Sequence, residues 1–217
     1  MDTAHLWQAF KDGVQIEDAS PGTITLRHRL LGELVISTGQ VVACDPFVSP
    51  DTKPFQMMIS PGRYPVLASV ASFAKENDQR IAYVLLRLST QEPVRWELAT
   101  QAGQDISSLE EGQFFGYPVD FGIACLMDNE AGLELQRRFD TDRSYAESLM
   151  KDFSTHEALN VVLNPLTGAN VIMFTSGWGD GIYASYWGYD ALDRPVCLIT
   201  DFDLFNRSLS DAVNPPG

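Results

Sequence analysis

Three aspartates carry the acid chemistry this sequence offers. Asp45 stands in Cys44-Asp45-Pro46-Phe47, Asp120 in Gly116-Tyr117-Pro118-Val119-Asp120-Phe121-Gly122, and Asp180 in Ser176-Gly177-Trp178-Gly179-Asp180-Gly181. Each lies close to Gly or Pro at the end of a strand, so all three could converge on one rim. Gathered there, their oxygens suit Mg²⁺ or Ca²⁺, or an acid–base pair, and sites built this way act on phosphate or glycan substrates. Asp201 and Asp203 offer a fourth ligand. Each position also has a structural reading. Asp before Pro starts turns by accepting from nearby backbone N–H groups. Asp120 interrupts an apolar segment and needs a partner or exposure at a sheet edge. Asp180 fits a clasp for its own glycine turn equally well.

Aromatic residues crowd around Asp180. Phe174, Trp178, Tyr183, Tyr186, Trp187 and Tyr189 are threaded with Gly177, Gly179, Gly181 and Gly188. Glycines at alternate positions mark an irregular turn between strands, and large rings on either side frame it. As a binding surface, the candidates are Trp178, Asp180, Tyr183, Tyr186, Trp187 and Tyr189. Alternation from Ile182 to Trp187 is equally explained by sheet packing, which buries one side.

Other site chemistries fail on residue type or spacing. Gly177, Gly179 and Gly181 lack the third glycine of a dinucleotide fingerprint, and no lysine follows as in a P-loop. Thr175-Ser176-Gly177 is not a nucleophile elbow. Only His5, His28 and His156 could serve a serine as base. His5 falls in a short N-terminal helix, His28 alternates outward on a strand, and His156 reads as part of a capping box, Ser154-Thr155-His156-Glu157. Cys44 has no neighbouring positive charge to lower its pKa, so it reads as inert core.

Composition narrows the partners. The 217 residues carry a net charge of -14 with only 15 Lys and Arg, so nucleic acid is not an expected partner. An acidic surface suits solubility, a cation or a cationic protein. No apolar run reaches the length of a membrane span, and the first residues do not read as a secretory leader. Cys44, Cys125 and Cys197 are odd in number and lie in apolar stretches, the pattern of reduced, buried thiols in a cytoplasmic protein.

The elements that must position these residues mostly follow a period of two. Thr23–Leu30, Tyr64–Phe73, Gln79–Ser89 and Val94–Ala99 read as strands, with Tyr64–Phe73 pairing antiparallel to Gln79–Ser89 across a polar loop at Lys75–Asp78. Glu33–Ser37 and Gln40–Cys44 read as a hairpin closed by Thr38-Gly39, and Phe55–Ile59 as a further short strand. Asn129–Arg138 reads as a helix with Asp128 as N-cap, and Tyr145–Phe153 as a second. Strands resume at Asn160–Leu163, Ala169–Thr175, Ile182–Tyr186 and Pro195–Phe202. The expectation is one α+β, β-rich domain over 1–217, with antiparallel sheets in a sandwich or a strongly curved sheet and a short helical insertion mid-chain. A helix at 1–13 and a flexible tail at 208–217 bracket it.

The succession GELVISTGQVVACDPF, SPGRYPV, YPVDFGIACLMD, SGWGDGIYASYWGYD and LITDF resembles an uncharacterised bacterial family, a domain of unknown function, over roughly Leu31 to Phe202. That resemblance implies a soluble, single-domain bacterial protein and brings no catalytic residues with it. Two functional expectations stand. One is a non-catalytic binding protein without cofactor, most sharply an immunity-type protein neutralising a cationic toxin or effector. The other is a Mg²⁺- or Ca²⁺-assisted carboxylate hydrolase using Asp45, Asp120 and Asp180.

Overall fold

Alternating and continuously apolar runs both become strand, because both faces of the main sheet are covered. The computed structural model describes residues 3–11, 14–17, 23–73, 78–205 and 211–212. In chain order they form α1 (Ala4–Gln8), β1 (Gln15–Glu17), β2 (Thr23–Ile36), β3 (Val41–Cys44), β4 (Gly62–Phe73), β5 (Asp78–Arg87) and β6 (Arg95–Leu98). Then come β7 (Gln113–Phe114), β8 (Tyr117–Val119), β9 (Ile123–Asp128), α2 (Asn129–Thr141), α3 (Arg143–Phe153), β10 (Ala158–Val162) and β11 (Asn170–Thr175). The last are β12 (Gly181–Tyr189), β13 (Pro195–Asp201) and β14 (Asp211–Ala212).

Two antiparallel sheets result. The larger runs β1-β2-β4-β5-β13-β12-β6, with β8 also on β12, and the smaller runs β10-β11-β9-β3. Leu34, Val66 and Leu198 of the large sheet meet Leu126, Ile172 and Phe174 of the small one in the shared core. Fully burying a side chain of this kind contributes roughly 1.5–3 kcal/mol. The outer face of the large sheet packs under Leu6 and Phe10, with Phe114 and Leu204 beside them. Helices α2 and α3 cover the outer face of the small sheet through Leu135, Leu149 and Phe153. This is the expected β-rich sandwich with helices between strands in mid-chain.

The strongest period-two segments behave as read: β4 pairs antiparallel with β5 from Val66↔Leu86 to Phe73↔Asp78. Of the loop expected at Lys75–Asp78, residues 75–77 lie outside the described residues and Asp78 already opens β5. Asp128 caps α2, its carboxylate accepting from Glu130 N at 3.0 Å. Of the expected N-terminal helix, Ala4–Gln8 is helical while 1–2 and 12–13 lie outside the described residues. The expected tail also lies outside them, apart from Asp211–Ala212, which pair parallel with β7.

Three local readings differ from the structure. Thr38-Gly39 is a corner between sheets, not a hairpin: β2 stays with β4, whereas β3 crosses to pair with β9. The Asp128 carboxylate holds that corner, accepting from Ser37 N (3.0 Å), Thr38 N (2.9 Å) and both hydroxyls, Ser37 Oγ (3.2 Å) and Thr38 Oγ1 (2.8 Å). Phe55–Ile59 makes only isolated bridges, at Phe55↔Gln101 and Gln40↔Met58. Ser154 ends α3 instead of opening a turn, its N–H donating to Met150 O and Lys151 O.

One glycine fixes how the helical layer docks. A Cβ on Gly132 of α2 would lie 2.3 Å from Pro50 O, so only glycine lets this helix sit against the loop that follows β3. No helix among the described residues is long and apolar enough to cross a membrane.

Candidate functional site: the junction of three loops

The segments that carry Asp45, Asp120 and Asp180 do meet. Asp45 directly follows β3 and is fully buried. Its Oδ1 accepts from Phe47 N at 2.9 Å, the local turn expected of Asp before Pro. Its Oδ2 reaches the turn between β8 and β9, accepting from Asp120 N at 3.0 Å and Phe121 N at 2.9 Å. The next residue, Gly122, ties on the third loop: its carbonyl accepts from Ser176 N at 3.1 Å. Gly122 has φ 63°, and a Cβ there would lie 3.4 Å from Gly179 Cα and 4.0 Å from Asp180 Oδ1. The positive φ favours glycine here, while the space beside Gly179 would admit a Cβ at ordinary van der Waals contact.

The carboxylates themselves divide. Asp45 spends both oxygens on backbone donors, whereas Asp120 and Asp180 are exposed and have no ion pair among the described residues. No group of three or more His, Cys, Asp and Glu among the described residues is arranged to hold a metal ion. Asp201, offered as a further ligand, pairs with His5 Nε2 at 3.2 Å.

Beside the two exposed acids stands Phe121, 53% exposed, with its ring 6.2 Å from Phe47. Phe47 in turn stacks on Phe139 of α2 at 6.1 Å. Sequence reasoning passed over this ladder. The one available signal was a lone aromatic between Asp120 and Gly122 in a turn, where no core position explains it.

The rings around Asp180 are mostly packing. Tyr183, Trp187 and Tyr189 point into the core between the sheets, and Tyr186 into the one under α1. Tyr183 still shapes the turn, donating its hydroxyl to Gly179 O at 2.7 Å while its ring meets Phe202 edge-on at 4.9 Å. Ser176 Oγ donates to the same carbonyl at 2.8 Å. Trp178 is the exposed member, with the Arg80 guanidinium 4.4 Å over its ring and Phe73 at 5.7 Å. Tyr189 carries Arg95 at 4.1 Å, and burial, followed by Glu97, pushes its phenol up to about 12.

Titration in the core favours unreactive forms. Cys44 and Cys125 are register partners across β3 and β9, with sulfurs 3.6 Å apart. Burial, with the Cys125 thiol second, raises the Cys44 thiol well above its usual range, and burial takes Cys197 to about 12. All three are free and buried, as expected from their apolar surroundings. We expect an aromatic disulfide reagent at mildly alkaline pH to label the native protein roughly a thousandfold more slowly than the guanidinium-unfolded chain, since reaction requires opening. Prompt labelling of any native thiol would contradict this burial.

Comparison with known proteins places the chain in one context. A family model described as a protein of unknown function (DUF4241) matches residues 34–200, from within β2 to within β13. All three loops of the junction fall inside that span. No curated protein and no solved structure matches.

Proposed function

We propose that this chain, which belongs to the DUF4241 family of proteins of unknown function, is a binding protein without turnover that docks a cationic protein partner. Its sharpest form is an immunity-type protein of the bacterial cytoplasm that neutralises a basic toxin or effector. The observation that carries this reading is the rim at the loop junction. Exposed Phe121 stands there beside Asp120 and Asp180, neither of them paired among the described residues. An aromatic anchor flanked by open acids is how protein interfaces combine a hot spot with electrostatic steering. Buried Asp45 makes the rim rigid, which lowers the entropy lost on docking. The net charge of -14 supplies the long-range attraction.

The carboxylate-hydrolase reading has less support, because Asp45 is fully buried and both of its oxygens already accept backbone N–H groups. The test is co-expression with the product of the adjacent gene and purification of the pair. A stoichiometric complex that abolishes the partner's toxicity is expected. Association should slow roughly tenfold in Asp120→Lys/Asp180→Lys and should also slow with added salt, while dissociation changes much less. Failure to form a complex, together with metal-dependent hydrolysis that Asp180→Asn abolishes, would replace this reading with the catalytic one.

A further inference from the structure

A second surface, remote in sequence from the junction loops, has the features of a peptide groove. Strand β6 ends the large sheet, and no described strand lies on its outer side. The chain at Phe55–Gln56 pairs only beyond it, with Thr100 and Gln101. Ala99 N donates to Ser185 O at 2.7 Å, which sets the phase of the ladder between β6 and β12. By the alternation of antiparallel pairing, the backbone N–H and C=O of Glu97 also face β12, and those of Trp96 and Leu98 face away from the sheet. Unpaired groups on a sheet edge are a template for another strand.

The side chains of the same two residues line a groove of about 600 Å³ together with Tyr186. That volume is within the ~300–1,000 Å³ usual for ligand sites. Across the groove, the segment before β7 supplies Ile106, 49% exposed, and Leu109. Its rim carries Glu110 and Glu111, both exposed and without an ion pair among the described residues. Many sheet edges are protected by brevity, Pro or charge, and β6 is indeed short and follows Pro93. What sets it apart is the apolar, acid-rimmed trough along its face.

We infer that this groove binds an extended, basic segment of a protein partner, which adds a strand to the outer edge of β6. Its backbone pairs with Trp96 and Leu98, alternate apolar side chains settle on the trough, and lysine or arginine side chains reach Glu110 and Glu111. Strand addition of this kind takes affinity from the main chain and specificity from every second side chain. The inference does not depend on what the Asp120–Asp180 rim binds.

The experiment titrates the full-length protein into a fluorescein-labelled peptide of alternating lysine and valine, with amide exchange followed residue by residue. Saturable binding with new protection at the Trp96 and Leu98 amides is expected. Glu110→Lys/Glu111→Lys should weaken it roughly tenfold while leaving the fold intact, since both side chains are exposed. A peptide N-methylated at alternate residues should not bind, because it cannot pair. Asp120→Lys/Asp180→Lys should leave peptide binding unchanged. Absence of saturable binding, binding indifferent to N-methylation, or dependence on the Asp120–Asp180 rim would each overturn the groove assignment. Self-association through β6 that excludes the peptide would also overturn it.

Discussion

Replacing Asp128 with alanine should lower the unfolding free energy by about 3 kcal/mol, read from urea titration, and the Tm by roughly 8 °C. The carboxylate is 1% exposed and accepts five hydrogen bonds: from Glu130 N at the start of α2, and from both backbone and hydroxyl groups of Ser37 and Thr38. The loss has two parts. A missing N-cap costs about 1 kcal/mol. Leaving the N–H of half-buried Thr38 without its acceptor costs about 1–3 kcal/mol, whereas exposed Ser37 can turn to water. Asp128→Asn should cost less, because one oxygen still accepts while the amide N–H₂ opposes the remaining donors. A loss below about 1 kcal/mol would mean that strand packing alone holds the corner where the chain leaves one sheet for the other.

That corner also shows where sequence reading stops. Asp128 was legible as a cap, because a helix N-cap is a local device. Its grip on Ser37 and Thr38 was not, since nothing near Thr38-Gly39 separates a hairpin from a crossing between sheets. The deciding group lies some ninety positions away. The same limit applies at Asp45. Its bond to Phe47 N follows from Asp-Pro chemistry, but its hold on Asp120 N and Phe121 N is tertiary. β4 and β5 were legible because long apolar runs split by a polar loop must pair with something, and the nearest partner was the right one.

The aromatic stretch around Asp180 fails for another reason. Alternation along β12 separates two cores, Tyr183 and Trp187 on one side and Tyr186 on the other, so period two could not say which rings face solvent. Phe121 was missed because a single aromatic in a turn carries no period at all. The site is therefore legible as three segments, but not as the surface they build.

Asp45→Ala should be about as destabilising as Asp128→Ala, roughly 3–5 kcal/mol, and its damage should fall on the junction. The carboxylate is fully buried, and removing it leaves a gap and takes the shared acceptor from the N–H groups of Phe47, Asp120 and Phe121. Amide exchange should accelerate most at Asp120 and Phe121, ahead of any change in the β4–β5 ladder. Asp180→Asn makes the contrast. Its side chain is exposed and has no ion pair among the described residues, so stability should move by no more than about 0.5 kcal/mol. If the rim binds a cationic partner, Asp180→Asn slows association on an intact scaffold. Asp45→Ala weakens the complex by a different route, because Phe121 is then no longer held ready and the partner must order the loop on docking. The two variants should therefore separate in kinetics, the first in the on-rate and the second chiefly in the off-rate. An Asp45→Ala protein that keeps its stability and slow exchange at Phe121 would remove the clasp, and with it the rigid rim on which the binding reading depends.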